Sequence, residues 1–498
     1  MRASDPRSST SVRILMWLCI AIFVLSTIPL YAISFYNHPY YDDYGFSADA
    51  HKVWTETGSI VQVITAAAEK SQDVRQTWQG TYTGTFLSNI QPGIFSESLY
   101  FIGTFVLLTA FILCFGYFLW VVFRKLGVSK EYTVIICSLT LMLMIQFVPN
   151  AGEAFYWFNG GIGNSFIYAL LVLSFALSAK LLDAKTKGRI ALLSAVQIIL
   201  MILLGGGSYG GGLFGLCIYA LMIAWLFWKK DAKAWIFTGL WALFLGCFIY
   251  NMMAPGNQVR AGVIGSHPTA VVSILKAVYY GIGQIGSHIR LPIIAVSVLV
   301  LPALYAAAKS SSYQFAHPWI VLVLMTGLFC TQLVPPIYGG VGTGGWRILN
   351  TYYWSFAVMW FLYLYYVVGY VAKHYEVELV LVGRGQQALI LLSACLLLVG
   401  CMGYKQTADK YYGPQNMAGP SAALSILSGE AQQYHSEMQQ RETLLNDASA
   451  KTITLSPLTV IPSVFMEDLI QVDAVYDVRV SLCEYYDKDA IIIEGEGS

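Results

Sequence analysis

Apolar stretches long enough to cross the hydrocarbon core of a bilayer recur along this chain, at about residues 14–35, 99–123, 131–149, 165–182, 190–207, 212–228, 234–252, 290–308, 318–336, 350–372 and 387–404. Lipid offers backbone amides no hydrogen-bond partner, so such stretches must fold as helices. At 57% hydrophobic and 11% charged over 498 residues, the composition excludes a water-soluble fold. The pattern predicts an all-α polytopic membrane protein with about eleven transmembrane helices. No small-x-small cleavage site follows the first stretch, which reads as a retained anchor.

Basic residues predict the orientation. Arg2, Arg7 and Arg13, then Arg124, Lys125 and Lys130, then Lys180, Lys185, Lys187 and Arg189, then Lys229, Lys230 and Lys233, then Lys309, then Lys373 and Arg384 fall on alternate connections. The positive-inside rule makes that side, and the N-terminus, cytoplasmic. The opposite face receives residues 36–98, 150–164, 205–211, 253–289 and 337–349, and an odd number of spans adds everything after 405.

Acidic residues divide the chain again. From Lys405 onward lie 14 of the 28 Asp and Glu but only 6 of the 29 Lys and Arg. We therefore expect two parts: residues 1–404 as a membrane domain, with an interfacial helix in outer loop 36–98, and residues 405–498 as a small soluble extracytoplasmic α/β domain. Its first portion, residues 422–448, is helix-like, and Thr452–Leu455 and Ala490–Ile493 read as strands. Fewer than about 100 residues bury a modest core, so this domain should lean on the membrane body.

Chemistry-bearing residues gather in the outer loops. His38-Pro39-Tyr40-Tyr41-Asp42-Asp43-Tyr44 places two carboxylates among tyrosines directly after the first span. Trp78-Gln79-Gly80-Thr81-Tyr82 and the segment from Asn150 through Glu153 and Trp157 to Gly161 combine aromatics with hydrogen-bonding groups. Such faces stack on sugar rings, and they also anchor at any membrane interface. Arg260, in Pro255-Gly256-Asn257-Gln258-Val259-Arg260, and Arg347, after Gly344-Gly345-Trp346, defy the charge bias of the outer side. Their planar forks suit an anion such as phosphate, with Lys276, His288 and Arg290 as additional cations. The opposing reading pairs these arginines with Asp42, Asp43 or Glu153. Gly205-x-Gly207-x-x-Gly210 has the spacing of a dinucleotide loop without the strand that such a loop requires, so close helix packing is the better account. Eight of the nine cysteines lie in apolar spans, and no pair of histidines has zinc-site spacing.

Together, Asp42-Asp43-Tyr44, Trp78-x-Gly80, Glu153-x-x-x-Trp157 and Pro255-Gly256-Asn257-x-x-Arg260 resemble, in kind and order, the bacterial multi-pass proteins of a domain of unknown function within the GT-C superfamily of membrane glycosyltransferases. The resemblance implies transfer of a sugar from a polyprenyl-phosphate donor to a cell-envelope glycan acceptor, on the outer face of the cytoplasmic membrane. It implies an aspartate as general base, with Arg260, Arg347 and Asn257 at the donor phosphate and Tyr44, Trp78, Tyr82, Glu153 and Trp157 at sugar or acceptor; of Asp42 and Asp43 we assign the base to Asp42 and a positioning role to Asp43, the other reading being that one of them caps the helix. No cofactor is expected, since a monophosphate donor met by paired arginines needs no metal; the competing expectation is Mg²⁺ or Mn²⁺ held by Asp42, Asp43 and Glu153. A lipid-linked polysaccharide polymerase shares the many helices, the outer arginines and the sugar-facing aromatics, but does not require the aspartates so early. A transporter or flippase of lipid-linked sugars is the non-enzymatic alternative, but it calls for internal repeats and mid-membrane charges that the spans lack.

Overall fold

The computed structural model describes residues 10–376, 384–402, 417–469 and 478–494. The boundary expected at 404/405 lies outside them. α1 (Thr10–Ile33) leads to three helices, α2 (Asp42–Thr57), α3 (Ile60–Thr77) and α4 (Tyr82–Asn89). The bundle continues with α5 (Phe101–Lys125), α6 (Lys130–Gln146), the short α7 (Phe158–Gly161), α8 (Ile167–Asp183), α9 (Lys187–Gly205), α10 (Tyr209–Trp228) and α11 (Ala234–Met252). After these come α12 (Pro255–Ile264), α13 (Ala270–His288), α14 (Leu291–Ser310), α15 (Pro318–Thr331), α16 (Val334–Tyr338), α17 (Trp346–His374) and α18 (Arg384–Met402). The tail contributes α19 (Ala418–Leu427), α20 (Glu430–Leu445), β1 (Thr452–Leu455), α21 (Val478–Tyr486) and β2 (Ala490–Ile493).

Among the described residues, eight helical stretches are long and apolar enough to cross a membrane; they contain α1, α5, α8, α9, α10, α11, α14 and α17. The remaining apolar windows fall on α6, on α15 with α16, and on α18. α6 has 17 residues and is buried on nearly every side among α1, α5, α14 and α17. α15 has only 14, and Pro335 and Pro336, which lack N–H donors, restart the chain as α16.

Two segments differ from expectation. The interfacial stretch after Asp43 forms two helices, because Gly58 adopts φ 61° and Ser59 accepts from Gln62 N–H to cap a new one. Residues 253–289, read as a loop, hold α12 and α13. Ser273, Ala277 and Gly281 of α13 recur every four residues and bury one face against α15 and α16, so closely that a Cβ on Gly281 would lie 2.5 Å from Cys330 Sγ. Lys276 and these small residues dilute the hydropathy that reveals the other helices.

The two strands read from the tail pair in parallel, Thr452 opposite Ala490 through Leu455 opposite Ile493. The tail does not stand apart. α19 lies along α1, where Gly419 N–H donates to Gln146 Oε1 (2.7 Å) while Gln146 Nε2 donates to Ser26 O (3.0 Å). α21 lies against α2. Within the tail, Arg441 of α20 grips Asp468 with two bonds of 2.7 and 2.9 Å, both groups buried, and ties residues 464–469 to α20.

Candidate functional site

The site begins with a turn. Tyr41, just before α2, is held at φ 46° and ψ −109°, a conformation that costs an L-residue about 1–3 kcal/mol. The next two residues, Asp42 and Asp43, fill the first turn of α2, where the helix dipole favours carboxylates.

Their surroundings separate them. Asp43 is fully buried: Oδ2 accepts from Tyr40 N–H (3.0 Å) and from the Tyr100 hydroxyl (2.5 Å), and Oδ1 accepts from Asn159 N–H (2.9 Å). The Tyr100 hydroxyl in turn accepts from Phe158 N–H (2.9 Å). Asp43 thus ties the start of α2 to α5 and to residues 156–159. Burial pushes its carboxyl up to about 7 against the pull of Tyr100 and the two amides, with Asp42 adding to the rise.

The Asp42 carboxylate makes no hydrogen bond or ion pair among the described residues, and the residue remains partly open to the surface. Its carboxyl is raised to about 6 by burial, opposed first by Arg347 and then by Arg260. Each guanidinium is spread over an indole: Arg347 lies 5.1 Å from the ring centre of Trp157, and Arg260 lies 5.3 Å from that of Trp78. Arg260 also donates to Gln79 Oε1 (2.8 Å), and burial together with the Arg347 charge lowers its pKa. Two cations therefore lie near enough to this one carboxylate to favour its ionised form.

Glu153 takes a different role. It is buried and accepts from the backbone N–H of Arg347 (2.6 Å), with the Arg347 Nη1 3.7 Å away. Asn150 Oδ1 accepts from Glu153 N–H (2.8 Å), and Asn150 and Asn350 exchange a reciprocal pair of bonds of 2.9 and 2.8 Å. This clamp sets the start of α17, and hence the position of Arg347. Residues 152–156 and 162–166 are wound in wide π-type turns, a local deformation that recurs at functional sites.

Asn257 is committed to backbone. Its Oδ1 accepts from Gly80 N–H (3.1 Å) and the Tyr209 hydroxyl (2.7 Å), while its Nδ2 donates to Asn251 O and Met252 O, each at 3.0 Å. The Trp78-x-Gly80 and Pro255-Gly256-Asn257 segments interlock around it. A Cβ on Gly80 would lie 1.9 Å from Asn251 O, and one on Gly256 would lie 2.4 Å from Trp78 N. The two glycines permit this approach and so bring Trp78 and Arg260 together.

Of the other residues singled out, Trp157 is buried against Tyr40 (ring centres 5.7 Å apart), and its Nε1 has no hydrogen-bond partner among the described residues. A buried donor left unpaired is a candidate ligand contact. Tyr44 and Tyr82 are each packed against other aromatic rings. Tyr44 packs between Tyr485 and Tyr486 of the tail, and Tyr82 donates to Ile202 O (2.6 Å) with its ring against Tyr250. Among the described residues, no three His, Cys, Asp or Glu side chains converge on a point that would hold a metal ion.

Sequence reasoning gave no place to Tyr100, Tyr209 or Asn350, and took in Gln79, Asn150 and Asn159 only as members of the polar-aromatic segments 78–82 and 150–161. The tail also enters this neighbourhood. Met466 packs with Tyr40, Tyr44 and Trp157, a Cβ on Gly152 would meet Met466 Sδ at 2.9 Å and Phe465 O at 3.1 Å, and Tyr40 OH donates to Glu467 Oε1 (3.3 Å). On the far side of the α17 start, Trp346 lines a cleft of about 310 Å³ with Leu143, Phe147, Leu349, Gln284, His288 and Arg290. The cleft is apolar on the α6 and α17 side and polar where α13 ends.

Comparison with protein-family models, with curated proteins and with solved structures finds no match to this chain.

Proposed function

We propose that this chain is a membrane glycosyltransferase of the GT-C kind. On this reading it moves a sugar from a polyprenyl-phosphate donor to a cell-envelope glycan on the outer face of a bacterial cytoplasmic membrane. The eleven apolar windows are its spans, the N-terminus is cytoplasmic and the tail is an extracytoplasmic domain. The observation that carries the reading is the unpaired Asp42 carboxylate facing two arginines, beside a neighbour whose oxygens are all engaged.

The chemistry follows from that arrangement. Asp42 takes the proton of an acceptor hydroxyl as the oxygen attacks the anomeric carbon. The bond from that carbon to the phosphate oxygen breaks, and polyprenyl phosphate leaves with the electron pair. Arg347 and Arg260 hold the charge that grows on the leaving phosphate. A carboxyl raised to about 6 is a stronger base than an ordinary aspartate and is still mostly ionised at neutral pH. The cleft beside Trp346 has apolar walls for a lipid chain and Arg290 and His288 at its polar end. Trp78 and Trp157 offer indole faces to sugar rings.

The test is a deletion strain complemented with wild type, Asp42→Asn or Asp43→Asn, followed by composition and linkage analysis of the envelope glycan. Loss of one sugar, restored by wild type and not by Asp42→Asn, is the expected result. Full restoration by Asp42→Asn overturns the assignment, and a deletion that leaves the glycan unchanged returns the transporter reading.

A further inference from the structure

A second cluster of titratable groups lies at the seam between body and tail. His38, four residues before Asp42, is buried; its Nδ1 is 2.6 Å from Glu97 Oε1, and its Nε2 is 2.8 Å from Nδ1 of His435 on α20. The other oxygen of Glu97 accepts from the hydroxyl of Tyr486 on α21 (3.1 Å). His435 is half-buried, with its ring edge-on to Tyr36. One carboxylate, two imidazoles and a phenol thus join the loop before α2, the start of α5 and two tail helices.

The bond between the rings constrains their protons. Glu97 accepts, so Nδ1 of His38 carries a proton. If His38 is otherwise neutral, its Nε2 accepts from His435 Nδ1–H. If His38 is an imidazolium paired with Glu97, its Nε2–H donates to His435, which must then be neutral at Nδ1. The contact tolerates one added proton and not two, because two imidazolium rings would point N–H at N–H. Burial lowers the pKa of His435, the neighbouring His38 lowers it further, and Glu97 works in the opposite direction. The other groups facing the cluster are Glu442, whose carboxyl is raised by burial and by Glu97, and Tyr434, Tyr485, Tyr486 and His51. Glu442 also feels His38, which lowers its pKa, so it is a second acidic group near the ring pair, although no hydrogen bond joins it to either ring.

We propose that the His38–His435 bond is a proton-sensitive clasp that holds the tail on the body at neutral pH and releases it on acidification, withdrawing Phe465, Met466 and Glu467 from the neighbourhood of Asp42. The sign follows from His435. Its pKa is depressed in the docked state, so docking is fully stable above the free imidazole pKa of about 6.5 and weakens as the pH falls below it. The clasp stands on geometry alone and does not depend on the reaction at Asp42.

The test is a distance measurement on the full chain in nanodiscs, by pulsed electron paramagnetic resonance between spin labels at exposed Gln440 of α20 and exposed Gln62 of α3. The labels are attached through unnatural amino acids, because the chain carries nine cysteines. A single narrow distance at pH 7.5 that gives way to a broad population by pH 5 is expected for wild type. His435→Asn, whose amide donates without titrating, should stay narrow over the same range. A wild type that keeps the narrow distance at pH 5 overturns the proposal, and so does a His435→Asn variant that opens as the wild type does. If His435→Asn is already open at pH 7.5, His435→Gln places the donor one bond further out. Opening of both at pH 7.5 shows that the bond is needed for docking, and the wild-type titration then decides whether protons control it.

Discussion

The two ends of the helix bundle use their cations differently. At the end away from Asp42, basic side chains are spent on helix C-termini. Lys233 Nζ donates to Leu182 O (2.5 Å) and Ala184 O (2.9 Å), and Lys373 Nζ donates to Lys309 O (2.9 Å) and Ser311 O (2.7 Å). Lys125 pairs with Asp183 at 2.8 Å. These residues satisfy orphan carbonyls and the negative end of the helix dipole. At the other end, Arg347 and Arg260 sit over indole rings, and the carboxylate both influence, Asp42, is in hydrogen-bond contact with neither. Charge that caps a helix is spent on its carbonyls, whereas Arg347, 3.7 Å from Glu153, and Arg260, bonded to Gln79, each also keep a guanidinium over an indole near Asp42.

The largest test of that contrast is Asp42→Asn against Asp43→Asn. Asp42→Asn should lower sugar transfer by roughly 10²–10⁴-fold, the usual worth of a positioned base, and leave the melting temperature in detergent unchanged. Asp43→Asn puts an amide where three donors converge, so one donor loses its acceptor, and a loss of about 1–3 kcal/mol should appear as earlier melting. If the two variants swapped phenotypes, their roles would be reversed.

Next in size is Gly80→Ala. Its new Cβ would lie 1.9 Å from Asn251 O and 2.8 Å from Ala254 Cβ, so the interlock between residues 78–80 and 251–257 must open. Overpacking of this kind costs about 1–3 kcal/mol and should cut the yield of folded protein. Gly262→Ala, which meets nothing within 4 Å inside α12, is the neutral control. Equal melting of the two variants would mean that the close approach is not what holds Trp78 and Arg260 together.

Much of this arrangement is legible in the chain. The apolar windows mark the helices because bilayer thickness fixes their length, and Asp42, Trp78, Trp157, Arg260 and Arg347, which come together, lie on loops that charge alternation assigns to one side. Asp42, Arg260, Arg347, Trp78 and Trp157 stand out because charge and aromatics are conspicuous between apolar spans. What escapes are residues whose role is set by long-range contact. Tyr100 looks like the first residue of an ordinary span, Asn350 like a polar residue near a helix start, and Asn257 like a ligand-binding amide, because nothing local says that Asn251, Met252, Gly80 and Tyr209 surround it. α13 escapes because small residues pack helices closely while reading as weakly hydrophobic. The His38–His435 contact spans nearly four hundred positions, beyond any local pattern.

A smaller effect is expected at the capped end. Lys233→Met should cost about 1 kcal/mol in thermal melting, because it removes the cation from the end of α8. It should leave transfer at the wild-type rate. A loss of activity without a loss of stability would show that the two ends are coupled in a way the caps do not explain.

The finest discrimination is in the pH profile. Asp42 must be ionised to accept a proton, so kcat/KM should fall as the pH drops through about 6. Arg347 and Arg260 both favour the ionised form, Arg347 more strongly. Arg347→Gln should therefore move the acid limb to higher pH, and Arg260→Gln should move it in the same direction by less, apart from any loss of affinity for the donor phosphate. Lys373→Met, at the capped end, should not move the limb at all. An acid limb that stays in place when Arg347 is neutralised would mean that the limb belongs to another group, with Asp43, raised to about 7, the first to examine. A limb that moves with Arg347 and not with Lys373 would identify Asp42 as the titrating group through the field of a cation that touches it nowhere.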